Sequence, residues 1–256
     1  MFCPIAAGAE FGVEMFGGYS FAELKDFNAS LTNVFNVGFL DGYAAPKQAK
    51  AIPGFIEADV KIRFSMSRVI PVYLRLGLTR LVDTQVLRDT ATGTDIATST
   101  VSFNTLYAGL GAKYLYRFNR SISVFAGGDA GLYVPFASSW ELKGNEAAIP
   151  FVDNNPTDPA YNAYQKMDLT GAYFGGNAGL GAEWQASGSW GLIAEIGCRI
   201  AKYAPAYKKE GAFGRPGFDL KEVDMSGPYA TAGLVFYIDS NSGAAAHGGQ
   251  SYSKRF

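Results

Sequence analysis

The sequence predicts an all-β fold, an eight-stranded antiparallel up-and-down barrel that crosses a membrane. Three observations lead there. Stretches of about ten residues, the length of a tilted membrane-crossing strand, alternate apolar with polar or very small side chains. The polar set includes full charges, as in Ile56-Glu57-Ala58-Asp59-Val60-Lys61-Ile62-Arg63-Phe64. The connections between stretches alternate between short and long.

The elements follow in chain order. Residues 10–21 put Phe11, Val13, Met15, Tyr19 and Phe21 on one face and Glu10, Glu14 and Ser20 on the other. Residues 56–64 divide in the same way, and residues 72–79 set Val72, Leu74, Leu76 and Leu78 against Tyr73, Arg75, Gly77 and Thr79. Residues 106–117 oppose Leu106, Leu110, Tyr114 and Tyr116 to Tyr107, Lys113 and Arg117. Residues 122–136, 172–185, 190–201 and 229–238 repeat the pattern, with Asp129, Glu183, Glu195, Arg199 and Thr231 on the polar side. Connections 65–71, 118–121 and 186–189 are short, whereas 22–54, 80–105, 137–171 and 202–228 are long. Short turns on one rim, long loops on the other and both termini at the short-turn rim make the layout of an outer-membrane barrel.

Composition agrees. A hydrophobic content of 48% suits strands that are apolar on one face only. No apolar run approaches the roughly 18 residues of a membrane-spanning helix. Glycines gather on the predicted inner face, at Gly109, Gly111, Gly127, Gly131, Gly175, Gly179 and Gly181, where small residues offset large ones in a narrow barrel. A net charge of −1 gives no basic footprint for nucleic acid.

The apolar face is read as the lipid face because aromatics mark its ends. Phe11, Phe64, Tyr114, Tyr116, Trp184, Trp190 and Phe236 fall on the short-turn rim, and Tyr19, Phe21 and Phe136 near the other. A soluble lipocalin-like ligand-binding barrel is the alternative, but it would be apolar inside. The opposite face here carries Glu14, Glu57, Asp59, Lys61, Arg63, Arg75, Lys113, Asp129, Glu183, Glu195 and Arg199. Both signs are represented almost equally, which suits a pairing network that plugs the lumen better than an ion-selective path. Charged rings along a conduction path are the competing reading.

On this architecture the chain, over residues 10–238, resembles the small eight-stranded outer-membrane barrels of the OmpA transmembrane domain, OmpX and OmpW group. Thr231, Gly233, Phe236 and Ile238 are similar to the C-terminal strand signal read by the barrel-assembly machinery. The resemblance implies integral residence in the bacterial outer membrane, with loops extracellular and termini periplasmic. It also implies either a structural and surface-interaction role or a narrow channel or lateral gateway for small apolar molecules.

Residues 1–9 form an N-terminal segment in which Ala7-Gly8-Ala9 resembles a small-residue cleavage site. Residues 239–256 read as a low-complexity tail with the character of disorder. Cys3 and Cys198 define no disulfide framework, and the one histidine, His247, lies in the tail. Ser–His–Asp, Cys–His and Cys/His zinc chemistry inside the barrel are thereby excluded. No cofactor, metal or enzymatic activity is expected.

Contacts with partners fall to the loops. Leu24, Phe27, Leu31 and Val34 have helical spacing, and residues 80–105 read as a hairpin that extends the third and fourth strands. The run Asp153–Pro159 reads as a turn cluster. Lys202, Lys208, Lys209, Arg215 and Lys221 are candidates for lipopolysaccharide phosphates. The expected partners are membrane lipid, lipopolysaccharide, the barrel-assembly machinery and a surface protein reached through the loops.

Overall fold

The computed structural model describes residues 10–22, 24, 28, 52, 54–65, 69–88, 93–119, 121–144, 164–203, 206–210 and 223–239. Its strands are β1 (Glu10–Ser20), β2 (Phe55–Ser65), β3 (Val72–Arg88), β4 (Asp95–Arg117), β5 (Ile122–Pro135), β6 (Ser138–Gly144), β7 (Tyr164–Thr170), β8 (Tyr173–Gln185), β9 (Trp190–Tyr203), β10 (Ala206–Glu210), β11 (Val223–Asp224) and β12 (Gly227–Asp239). β1, β2, β3, β4, β5, β8, β9 and β12 pair antiparallel in that order. β12 returns to β1, with Phe11 opposite Ile238 and Tyr19 opposite Ala230. This ring of eight has no free edge, so the backbone groups of its wall are satisfied within it, as a bilayer requires.

The two faces of the wall are inverted relative to a soluble barrel. Leu110 is 72% exposed and Ile200 73%, whereas Glu14 is 0% and Arg75 1% exposed. Burial alternates residue by residue along β2. Because the side-chain period is two, a slip of one residue would send the charges into lipid, and the register is fixed accordingly.

The polarity then crosses over along β4. From Leu106 to Tyr116 its outward side chains are Leu106, Ala108, Leu110, Ala112, Tyr114 and Tyr116; from Asn104 back to Thr98 they are Asn104, Ser102, Thr100 and Thr98. The inward side chains over the same upper stretch are Ala97, Val101 and Phe103, with Ser99 the one polar residue among them. The lower stretch spans the roughly 25 Å apolar band of such barrels. Above it β3 and β4 run on as a paired ribbon to Arg88 and Asp95. β6, β7 and β10 add to this ribbon, in the order β4–β6–β7–β10.

Beneath this ribbon sits an apolar core. Trp140, Met167, Leu169, Val101 and Phe103 join Leu24, Ile52, Phe55, Tyr107, Tyr133, Tyr173, Val223 and Met225, all buried. Trp140 Nε1 donates to Ser99 Oγ at 3.0 Å. On the other side of the rim β11 pairs with the end of β9, and Lys202 meets Asp224 at 2.8 Å. Burial pushes the Asp224 carboxyl up, but hydrogen bonds from Lys202 and Ser226 outweigh it and hold the group below the usual carboxylate range.

The hairpin expected over residues 80–105 is present, with the third strand continuing past Thr79 to Arg88 and the fourth beginning at Asp95, ahead of Leu106. Other expectations are corrected here. Connection 137–171 contains β6 and β7, and connection 202–228 contains β10 and β11. Asp239, assigned to the tail, is the last residue of β12. Segment 1–9, the tail beyond Asp239, the run 153–159, and Phe27, Leu31, Val34, Arg215 and Lys221 of the loop readings lie outside the described residues.

Candidate functional site in the barrel lumen

Alternation delivers one inward side chain every second residue from each wall strand. In a ring this narrow those side chains meet across the axis. The eleven acids and bases assigned to the lumen from the sequence are buried there and come together in three layers.

The layer at the short-turn end is a quartet. Lys113 Nζ donates to Glu14 Oε1 at 2.5 Å and to Glu183 Oε1 at 2.6 Å. Arg63 Nη1 donates to Glu183 Oε1 at 3.1 Å and to Glu14 Oε1 at 3.3 Å. Apolar inward residues Phe16, Leu115, Phe125, Ile193 and Val235 pack around it. Lys113 Nζ stands 4.4 Å from the centre of the Phe125 ring.

The middle layer holds two groups. Lys61 Nζ donates to Glu195 Oε2 at 2.6 Å, and Tyr229 OH donates to Glu195 Oε1 at 2.6 Å. Arg75 bridges two acids, with Nη2 2.7 Å from Asp59 Oδ2 and Nη1 3.2 Å from Asp129 Oδ2. Asp129 also accepts from Tyr107 OH at 2.5 Å, Asn177 Nδ2 at 2.7 Å and Tyr73 OH at 3.2 Å. Gly197 makes room here, because an added Cβ would stand 2.6 Å from both Cζ and Oη of Tyr229.

The upper layer is Arg199. Its Nε donates to Asn177 Oδ1 at 3.0 Å, and its Nη1 lies 2.5 Å from Glu57 Oε1. That second contact is ionic and close, yet it lacks the alignment of a hydrogen bond. Among the described residues, neither Glu57 oxygen nor Arg199 Nη1 has an aligned hydrogen-bond partner.

The sequence pattern placed the charges on the inner face, and the structure finds each beside an opposite charge. The pattern also put Tyr73, Tyr107, Tyr133, Asn177 and Tyr229 on that face by their parity along the strands, but did not mark them as the neutral partners of the charges. It also missed the apolar residues packed between the layers.

The aromatic residues read as girdles face outward. Phe64, Tyr114, Tyr116, Trp184, Trp190, Phe236, Phe21 and Phe136 are exposed, while Phe11 and Tyr19 are half-buried against Phe64 and Phe21. Of the assembly-signal residues, Thr231 is buried in the lumen, Gly233 is half-buried, and Phe236 and Ile238 are exposed. Among the described residues no group of His, Cys, Asp and Glu could hold a metal ion.

An edgeless ring with an apolar exterior and a charged interior defines a small transmembrane β-barrel of the outer-membrane kind. Solved structures with a similar chain course include three such barrels. The outer membrane protein OprG from Pseudomonas aeruginosa is 12% identical, over 91% of this chain and 97% of that one, with a TM-score of 0.49. Ail, the attachment invasion locus protein of Yersinia pestis, is 9% identical over 91% and 100%, with a TM-score of 0.38. The E. coli outer membrane protein W is 11% identical over 91% and 100%, with a TM-score of 0.39. No family model matches the sequence, and no curated protein does.

Proposed function

We propose that the protein is an integral barrel of the bacterial outer membrane whose lumen is plugged, with a structural and surface-interaction role. The observation behind this reading is the completeness of the pairing. Every charge of the lumen network has an opposite charge within 3.3 Å. An ion entering such a lumen would have to break buried pairs, each break costing about 3–5 kcal/mol. The apolar core under the ribbon adds a second barrier at the long-loop end.

In this reading the long connections face outside and the termini face the periplasm. Residues 231–238 carry the signal for the barrel-assembly machinery, and the outer ribbon offers a surface to lipopolysaccharide and to a protein partner. Planar-bilayer recording tests the plug. The expected result is little steady conductance; large, stable conductance whose ion selectivity reverses when the lumen charges are swapped would overturn it.

One observation favours a second reading, a lateral gateway for small apolar molecules. The lipid-facing wall has an open recess of about 410 Å³ lined by Ile122, Ala182, Trp184, Leu192, Ala194 and Ala232. Accelerated entry of a small apolar solute into liposomes carrying the protein would favour the gateway over the plug.

A further inference from the structure

We propose that the outward face of the β3–β4 ribbon is a docking strip for the phosphorylated glycolipid of the outer leaflet. Arg80 takes a phosphate at the base of the strip, and the uncharged side chains above it take the sugars. This rests on the surface-interaction part of the proposed function, with the long connections outside, and is independent of the plugged lumen.

The order of side chains up the wall carries the inference. Outward on β3 come Leu76, Leu78, Arg80, Val82, Thr84 and Val86; opposite them on β4 stand Ala108, Leu106, Asn104, Ser102, Thr100 and Thr98. The first two pairs are apolar, the third sets a cation beside an amide, and the last three mix hydroxyls with valine. A lipopolysaccharide has the same order from the bilayer outward: acyl chains, then phosphates, then sugars.

Arg80 is exposed at the top of the apolar band, and its cross-strand neighbours, Ile56 and Asn104, carry no charge. Its fork of donors suits a phosphate, and the phosphates of the leaflet lie at this level. The other bases at this rim differ, because Arg88 is held by Asp95 at 2.6 Å and Lys202 by Asp224 at 2.8 Å.

From Arg80 to Arg88 the strand runs roughly 26 Å. Even tilted, it climbs far past the headgroup layer of a phospholipid, about 6 Å thick. The sugars of a glycolipid reach that height. Val82 and Val86, 53% and 48% exposed, offer apolar contact to the C–H faces of sugar rings. The hydroxyls beside them exchange hydrogen bonds with sugar hydroxyls. On the neighbouring strands Lys143 meets Glu141 at 2.8 Å and Lys166 meets Asp168 at 3.0 Å, so their charges cancel and do not repel an anionic glycolipid.

The test measures binding of the full chain, in detergent micelles, to three labelled probes. They are lipopolysaccharide with its inner core, the same molecule stripped of phosphate, and phosphatidylglycerol, which has phosphate without the sugars. The wild type is expected to prefer the first probe over both others. Arg80→Gln should weaken that binding about tenfold. It should leave the dephosphorylated probe unaffected, which also reports that the variant is folded. Thr100→Val with Ser102→Ala should weaken both sugar-bearing probes and leave phosphatidylglycerol unchanged. Equal binding of phosphatidylglycerol and lipopolysaccharide by the wild type overturns the proposal. If the wild type prefers lipopolysaccharide but the variants bind it equally well, the strip is wrong and the surface-interaction reading stands. If the wild type binds none of the probes, the strip falls together with the lipopolysaccharide part of that reading.

Discussion

At the scale of the residue, the wall is a set of positions that see one of two solvents, and single substitutions report which. Leu110 lies midway along the apolar stretch of β4 and points at lipid. Leu110→Arg is expected to cost about 2–4 kcal/mol, the penalty of a cation near the bilayer midplane. Reversible unfolding in lipid vesicles measures it, and a neutral result would contradict the face assignment. Arg75 faces the other way and bridges Asp59 and Asp129. Arg75→Met leaves two buried acids without their base and is expected to cost about 3–5 kcal/mol in the same assay. Adding Asp59→Asn and Asp129→Asn to that variant should recover most of the loss, because a buried charge is expensive chiefly when it is unmatched.

At the scale of the element, β3 and β4 each live in two environments, and the three tryptophans distinguish them. Trp184 and Trp190 are half exposed on the lipid face, while Trp140 is 0% exposed beneath the ribbon. Lipids with brominated acyl chains should therefore quench Trp184 and Trp190. A Trp184→Phe, Trp190→Phe variant, which retains Trp140, should fluoresce unquenched. The division also explains what the sequence made legible. Period-two alternation assigned the lower parts of the wall strands because one rule, apolar outward, held along each of them. Above Asn104 the rule reverses, with Thr98, Thr100 and Ser102 outside and Ala97, Val101 and Phe103 inside. Read by the lipid rule, that stretch of β4 has no membrane strand in it, and the run of residues 90–95 is the signal left to mark residues 80–105 as a hairpin extending the third and fourth strands. The lumen was half legible for a related reason. Parity along a strand gives the face of Lys61 and of Glu195, but their contact spans 134 residues of sequence and depends on how far each strand is staggered around the ring.

At the scale of the whole molecule, orientation is the quantity to test. In a background carrying Cys3→Ser and Cys198→Ala, a cysteine at Thr94, near the ribbon tip, should react with an impermeant thiol reagent on intact cells. One at Asn119, in a short turn, should react only after the outer membrane is permeabilised. The reverse labelling would turn the barrel over. Closure of the ring has its own consequence for how the chain reaches this state. The pairs Lys113–Glu14, Arg63–Glu183 and Lys61–Glu195 join residues 99, 120 and 134 apart, and the β1–β12 seam joins the first strand to the last. None of these matches is complete in a chain that has inserted only part of its wall. A ring closed with a strand missing, or with one strand slipped, would strand several of these charges without partners in a medium that penalises each one heavily. The charges that fill the finished lumen thus act during biogenesis as a parity check on strand count and stagger, rewarding the correct circle and penalising near misses.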